Sequence, residues 1–159
     1  MGPVVSAAQL AGNLKYVELA FAEGTTVLGG EAVDTPAGGY FQRPAVFLNS
    51  TNEMRTSREE IFGPCVSIIA ADDFEHAVAL ANDTEFGLSA GIFTGSLKYA
   101  QEFRRRAHAG MVMTNLPTAG VDYHVPFGGR KGSSYGPREQ GTYARDFYSH
   151  IKTAYTFAP

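Results

Sequence analysis

The chain has 159 residues, which is enough for one hydrophobic core and short for two domains of ordinary size. Hydrophobic residues make up 44% and charged residues 18% of it, as in globular proteins, and no apolar run approaches the roughly 20 residues that span a bilayer. The net charge of -3 and a single short basic run, Arg104-Arg105-Arg106, give no reason to expect nucleic acid, so we predict a globular protein that binds neither nucleic acid nor membranes.

The first fifty residues predict a helix followed by short extended segments. Ser6 and Gln9 have the spacing of a capping box at the start of this helix. Its expected apolar face consists of Leu10, Leu14, Val17 and Phe21. A short strand is predicted at 27–28, and residues 40–48 are expected to be extended, with Pro44 favouring an edge or interrupted strand.

The middle of the chain alternates between strand and helix patterns. Strands are predicted at 66–70, 88–94 and 111–114, and helices that begin near Asp72 and Ser96 separate them. This order is typical of an α/β fold, with a mostly parallel twisted sheet and flanking helices. Residues 115–141 are rich in Gly and Pro, and residues 151–157 alternate as a strand that pairs with its own sheet or with another subunit.

Cysteine and histidine usage limits the chemistry that the chain offers. Cys65 is the single cysteine, so no intramolecular disulfide forms, and the absence of a secretory leader pattern favours a cytoplasmic protein. The histidines lack the short spacing of a zinc site, so we expect no metal; they are His76, His108, His124 and His150.

Two stretches carry residues suited to a ligand. The stretch 59–64 places two carboxylates and Phe62 before a buried strand, where Glu60 would accept two hydrogen bonds from a sugar diol and the ring would support a flat heterocycle. On spacing alone, a solvated glutamate pair and a core phenylalanine are the favoured interpretation. The stretch 125–141 is not a P-loop, because Lys131 precedes a glycine rather than following one, and no G-x-G-x-x-G fingerprint follows a strand.

Taken together, these stretches resemble the aldehyde dehydrogenase superfamily over nearly the whole chain. Residues 59–64 match its E-E-x-F-G-P element, Asn115 matches the end of a late core strand, and residues 126–133 match P-F-G-G-x-K-x-S. The resemblance implies a thiol enzyme in which a cysteine attacks an aldehyde, hydride passes to NAD or NADP, and a glutamate activates water. In the family both groups precede the helix with which this chain starts, so neither nucleophile nor general base is assigned here, and the isolated chain is expected to be inactive.

The resemblance also implies roles for individual residues. Glu60 would hold the nicotinamide ribose and Phe62 would pack near the nicotinamide. Phe127 would line the aldehyde channel, the loop 117–124 would shape the substrate pocket with Asn115 at its base, and Glu139 would take part in proton traffic. Cys65 takes the place of a strand residue and is expected to be structural, since apolar surroundings raise a thiol pKa.

Residues 129–141 look most like the bacterial branch that oxidises 2-oxoglutarate semialdehyde. Arg130 and Arg138 would then favour an anionic substrate, although pairing with structural carboxylates explains each arginine equally well. The expected division is 1–141 as the C-terminal part of a catalytic domain and 142–159 as a helix and oligomerisation strand. A homo-oligomer is therefore expected. The alternatives are a non-catalytic binding or oligomerisation module and, less favoured, a different enzyme that uses Cys65 or a His-carboxylate pair.

Overall fold

The computed structural model describes residues 1–36 and 38–159, and it shows the α/β class that the sequence predicts. The chain divides into two compact units, Met1–Leu80 and Ala81–Pro159. Among the described residues, no helix has the length and apolar character needed to cross a membrane.

The first unit combines two small sheets with helices. Its elements are α1 (Ala7–Ala22), β1 (Thr26–Leu28), β2 (Ala32–Val33), β3 (Phe41–Gln42), β4 (Ala45–Leu48), α2 (Arg55–Arg58), β5 (Cys65–Ser67) and most of α3 (Phe74–Asn82). Strand β4 lies between β1, which runs antiparallel to it, and β5, which runs parallel, while β2 and β3 form an antiparallel pair. The core beneath these strands is formed by Val17, Ala20, Ala45 and Phe47.

Helix α1 begins where the sequence predicts, and its buried face overlaps the predicted one in part. The Ser6 hydroxyl accepts a hydrogen bond of 3.1 Å from the backbone N–H of Gln9, which confirms the cap. The predicted apolar face is wrong at its end, because Phe21 is 60% exposed. The buried residues of the helix are Val17, as predicted, together with Asn13 and Ala20. A polar residue therefore occupies a core position that hydrophobic periodicity assigns to solvent.

Pro44 interrupts the extended segment 40–48, as predicted, and divides it into β3 and β4. The edge assignment is wrong, since β4 is the central strand of its sheet. Proline is tolerated here because it precedes the first residue of β4, where its missing N–H removes no ladder hydrogen bond. The ladder begins one residue later, with the Ala45 N–H donating to the Pro64 carbonyl at 2.8 Å.

The second unit contains a parallel strand pair and two helices of its own. Its elements are β6 (Ser89–Ile92), α4 (Leu97–Arg106), β7 (Met111–Thr114), two 3-10 turns (Lys131–Ser133 and Gly141–Tyr143) and α5 (Ala144–Phe147). The Ser96 hydroxyl caps α4 by accepting from the Tyr99 N–H, and Phe103 lies buried on the apolar side of this helix, as predicted. The last turn carries the basic run, with Arg104 and Arg105 exposed, so this run is a solvated helix face.

Two expectations about strands need correction. The predicted strand at 66–70 is β5, which pairs with β4, whereas β6 pairs in parallel with β7, so the three predicted strands do not share one sheet within residues 1–36 and 38–159. The segment 151–157 contains no strand in the described chain, and Ile151, Tyr155 and Phe157 are 99%, 95% and 89% exposed. A strand requires a hydrogen-bonded partner, so pairing of this segment with another subunit stays a prediction.

Candidate functional site

The loop between α2 and β5 presents Glu60 and Phe62 to solvent. Phe62 is 78% exposed and has a φ of 56°, a left-handed conformation that is unfavourable for a residue with a bulky side chain. Such a conformation persists only where the surrounding contacts enforce it, and it is common at ligand sites. The core position that spacing alone predicts for this phenylalanine is therefore wrong, and its ring is available for contact with a flat ligand.

The two adjacent glutamates of this loop have different environments. Glu59 accepts a 2.7 Å hydrogen bond from the Tyr16 hydroxyl and is held by Arg55 through bonds of 2.7 and 3.0 Å. The hydrogen bonds from Arg55, followed by that from Tyr16, lower the pKa of Glu59 to about 2. Glu60 is exposed, and among the described residues its carboxylate has no hydrogen-bond or ion-pair partner. Of the two carboxylates, only Glu60 is therefore free to accept hydrogen bonds from a ligand.

A cavity of about 700 Å³ adjoins this loop within the first unit. It is lined by residues 1–4, Thr56, residues 59–65 and Ser67. Glu60 and Phe62 both belong to its wall, so an exposed carboxylate and an exposed aromatic ring border the same space. These are the groups needed to hold a ribose diol and the ring next to it, and the residues present fit the nicotinamide end of a dinucleotide coenzyme.

Cys65 has the environment expected of a structural thiol. It is half-buried, and burial raises its pKa, an effect that a hydrogen bond from the Gln42 amide partly offsets. The thiolate is the nucleophilic form of cysteine, so a raised pKa makes this residue a weak nucleophile at neutral pH.

In the second unit, the lysine and the serine of the P-F-G-G-x-K-x-S stretch form structural contacts. The Lys131 ammonium donates to the carbonyls of Asn82 and Thr84 at 2.7 and 2.9 Å, next to the end of α3. The Ser133 hydroxyl accepts from the Gly87 N–H at 3.0 Å. Cations and donors are favourable at a helix C-terminus because the last carbonyls lack partners within the helix. These two residues therefore hold the loop against the start of the unit.

The remainder of this stretch brings two predicted site residues together. The Phe127 N–H donates to the Glu139 carbonyl at 2.7 Å, and the Glu139 N–H donates back to the Phe127 carbonyl at 2.9 Å. Phe127 is half-buried, whereas the side chain of Glu139 is exposed. The backbone thus fixes the spacing between the residue predicted for the aldehyde channel and the residue predicted for proton traffic.

The side-chain amide of Asn115 binds the backbone of Thr94, just after the end of β6. Its Oδ1 accepts from the Thr94 N–H at 2.8 Å and its Nδ2 donates to the Thr94 carbonyl at 3.0 Å, while its own φ is 56°. A separate cavity of about 340 Å³ is lined by much of the predicted substrate loop: residues 111–113, 116–117, 119–122 and 125–126. Asn115 and Phe127 are not among these lining residues, so their contact with substrate stays a prediction.

The two predicted substrate arginines differ in exposure. Arg138 is half-buried. If Gly110 or Gly128 carried a side chain, its Cβ would lie 2.7 Å from Arg138 Nη1, so the guanidinium occupies space that is open only because these residues are glycines. That Nη1 atom is buried without a hydrogen-bond partner in the part of the chain that the structure describes. The side chain of Arg130 is exposed, and within residues 1–36 and 38–159 only its backbone forms hydrogen bonds, to Gly87 and Ser133.

Three residues of α1 that the sequence analysis did not connect with the site support the loop that carries Glu60. Gln9 and Asn13 of α1 contact its middle, and Tyr16 binds its first residue. Their spacing of four and then three positions places them on one face of the helix, which is the one signal that the sequence contains. The sequence alone does not show that another segment packs against this polar face, so its pattern is the same as that of a helix face exposed to solvent.

Comparison with known proteins agrees with this geometry. Residues 1–154 match the family model described as the aldehyde dehydrogenase family. The alpha-ketoglutaric semialdehyde dehydrogenase of Bacillus subtilis is 44% identical over 98% of this chain and 32% of its own length. The corresponding Haloferax volcanii protein is 43% identical, again over 98% of this chain and 33% of its own length.

Solved structures give the same result. An indole-3-acetaldehyde dehydrogenase variant of P. syringae, in complex with NAD+ and IAA, superposes with a TM-score of 0.88 at 34% identity, over 96% of this chain and 30% of its own. The chain thus spans about a third of the length of the relatives it matches. The family model, these relatives and the two matching motifs agree, and the chain belongs to the aldehyde dehydrogenase family.

Proposed function

We propose that this chain supplies coenzyme- and substrate-facing loops of an NAD(P)-dependent aldehyde dehydrogenase, which oxidises an aldehyde to a carboxylate. The observation that carries the proposal is the loop 59–64, where the carboxylate of Glu60 has no partner among the described residues and the ring of Phe62 is 78% exposed at the same cavity. The NAD+ complex of the P. syringae relative supports this choice of coenzyme.

Each residue performs a binding or positioning task in this proposal. The bound coenzyme supplies the hydride acceptor. Glu60 accepts hydrogen bonds from the two ribose hydroxyls, and Phe62 restricts the nicotinamide to few orientations by packing against it. Phe127 and Asn115 belong to the aldehyde side of the site, and Glu139, whose side chain is exposed, takes part in proton traffic.

We further propose 2-oxoglutarate semialdehyde, an anionic aldehyde, as the substrate. Two relatives of the chain at 43–44% identity carry names for this activity, and Arg130 has an exposed cationic group in the stretch that resembles theirs. Relatives named betaine aldehyde dehydrogenase are 42% identical, and their named substrate is cationic. Charge therefore separates the two possibilities, because a cationic side chain favours the first aldehyde and repels the second.

The experiment is a chimera in which this chain replaces the matching third of the Bacillus subtilis relative. We expect aldehyde-dependent NADH or NADPH formation, with 2-oxoglutarate semialdehyde preferred over betaine aldehyde. Glu60→Gln should raise the KM for coenzyme about 10- to 100-fold, as expected from weakening hydrogen bonds to a charged group that are worth roughly 1.5–3 kcal/mol. Glu18→Gln, which changes an exposed carboxylate of α1, is the matched control and should change nothing. An active chimera with an unchanged coenzyme KM in Glu60→Gln would refute the role of Glu60.

We also propose that the protein forms a homo-oligomer through the segment 151–157. The alternating exposed side chains of Ile151, Tyr155 and Phe157 favour strand addition to a neighbouring copy. Light scattering of the 159-residue chain should show self-association that Tyr155→Lys weakens. A monomer at all concentrations would contradict the proposal, and it would leave the non-catalytic oligomerisation module without support.

A further inference from the structure

The loop 59–63 alternates between anchored and free residues. Glu59 is bound by Tyr16, the Ile61 carbonyl accepts from the Gln9 side chain at 3.1 Å, and Gly63 lies against Asn13. The two residues between these anchors are Glu60 and Phe62, which are exposed. Helix α1 therefore contacts the loop at every second residue, and the two intervening residues keep exposed side chains at the cavity wall.

The anchors in the middle of the loop depend on a buried amide. Asn13 has no exposed surface, and both polar atoms of its side chain are used. Its Oδ1 accepts from Gln9 Nε2 at 2.7 Å, and its Nδ2 donates to Gln42 Oε1 at 3.0 Å. The same Gln9 Nε2 reaches the Ile61 carbonyl, so the orientation of Asn13 determines where that carbonyl is held.

Gln42 extends this chain of amides to the far side of the loop. It is 7% exposed, and its Nε2 donates to the Gly30 carbonyl at 3.2 Å and towards the Cys65 thiol at 3.8 Å. Cys65 is the first residue of β5, the strand that follows the loop. The three amides of Gln9, Asn13 and Gln42, which we name the amide chain, therefore run from helix α1 to the strand after the loop.

Burial of polar side chains at this position is energetically unfavourable unless hydrogen bonds replace their hydration. Two buried amides that bind each other contribute little net stability compared with apolar side chains of the same size, because both lose their hydration. A hydrogen-bonded network does, however, require one orientation of each member, whereas apolar contacts tolerate several. The feature that the amide chain supplies is therefore a defined position rather than a large gain in stability.

We propose that the amide chain is a positioning device that fixes the orientation of Glu60 and Phe62 for the coenzyme. The inference rests on the proposed function for the identity of the ligand. It makes Asn13 and Gln42, which touch neither the cavity nor the ligand, determinants of how well the loop is pre-organised. Loss of the amide chain is expected to loosen the loop even where the fold survives.

The test uses the full 159-residue chain without any coenzyme. The sequence contains no tryptophan, so Phe62→Trp introduces a single fluorescent reporter at the loop. In this background, Asn13→Leu leaves the amide of Gln42 without its partner and should lower the midpoint of urea unfolding. Asn13→Leu with Gln42→Leu removes both members of this pair and should restore only part of that midpoint, because the Gly30 carbonyl and the Gln9 amide still lose a partner. Fluorescence anisotropy of the introduced tryptophan should fall in the single and the double variant alike, whereas its quenching by acrylamide, already high at a position that is 78% exposed, should rise only slightly.

The control separates positioning from stability. Thr25→Ala removes a buried hydroxyl that donates to the Ala20 carbonyl at the end of α1, so it should lower the unfolding midpoint without changing the anisotropy or quenching of the tryptophan reporter. If the double variant does not fold, Gln9→Leu provides the same readout, because it frees the Ile61 carbonyl from a half-buried helix position. Parent-like anisotropy in a folded double variant, or in Gln9→Leu, overturns the inference. No coenzyme is present, so this result is independent of Glu60→Gln in the chimera, which tests the function.

Discussion

Gly63→Ala tests the close packing between the loop and helix α1. A Cβ at this position would lie 2.4 Å from Asn13 Nδ2 and 2.5 Å from both Cγ and Oδ1. Real Cβ atoms do not approach other heavy atoms this closely. The side chain of Asn13 is short and completely buried, so it moves only by breaking its hydrogen bonds to Gln9 and Gln42.

The expected cost follows from these two constraints. Loss of the hydrogen bonds of a buried amide costs roughly 1–3 kcal/mol, and forcing an extra methyl group into a packed core costs about the same. Some of the strain is relieved when the loop shifts, so we expect the free energy of unfolding of the first unit to fall by about 2–4 kcal/mol. This is a large fraction of the total stability of an ordinary domain, which is about 5–15 kcal/mol.

Cys65 provides the assay, because it is the single cysteine of the chain and lies in the first unit. Its labelling by a thiol reagent across a urea gradient reports the unfolding of that unit. Gly12→Ala is the matched control: Gly12 lies inside α1, a Cβ there meets nothing within 4 Å, and replacement of a helical glycine should stabilise by roughly 0.5–1 kcal/mol. A Gly63→Ala chain within about 0.5 kcal/mol of the parent would refute the packing argument.

Three further outcomes are expected. The pKa of Glu59 is about 2 in the folded chain against an ordinary value of 4.5, so its ionised carboxylate stabilises the fold above about pH 4.5, and this stabilisation is lost as the pH falls towards 2. Glu59→Gln should abolish that part of the pH dependence, which a series of urea unfolding curves at several pH values measures. Lys131→Met should lower the unfolding free energy of the second unit by about 1 kcal/mol through loss of its bonds to carbonyls, whereas Arg130→Met should not, as thermal unfolding by circular dichroism will show. Alkylation of Cys65 by iodoacetamide at about pH 7.5 should be slower than that of a free cysteine; rapid alkylation would support a nucleophilic role instead.

The local features of the fold were predictable from the sequence because they depend on neighbouring residues. Ser6 and Ser96 cap the helices that follow them, and Pro44 interrupts its strand. Strand pairing was not predictable in the same way. The residue patterns of β5 and β6 indicate that each segment is a strand, but they contain no information on which strand lies beside it. The partner of β5 is β4, and the two are brought together by packing of the whole unit.

The burial of Asn13 shows why part of the site was missed. Hydrophobic periodicity selects apolar residues, and it placed Phe21 in the core in preference to a buried amide. Likewise, the E-E-x-F-G-P stretch identifies two glutamates without showing which is free. That distinction depends on Tyr16, which is 43 positions from Glu59 in sequence and binds it only in the folded chain.

Both family motifs combine residues in structural contacts with residues whose side chains are exposed, and this division has a common physical basis. Lys131 and Ser133 anchor one motif to the backbone, and Glu59 and Gly63 anchor the other to helix α1. An exposed side chain such as Phe62 keeps an unfavourable left-handed backbone only if its neighbours over-determine the loop. The identity of the anchored residues must therefore be as closely specified as that of the exposed ones. A loop with the correct ligand groups but weak anchors would lose conformational entropy each time it bound a ligand.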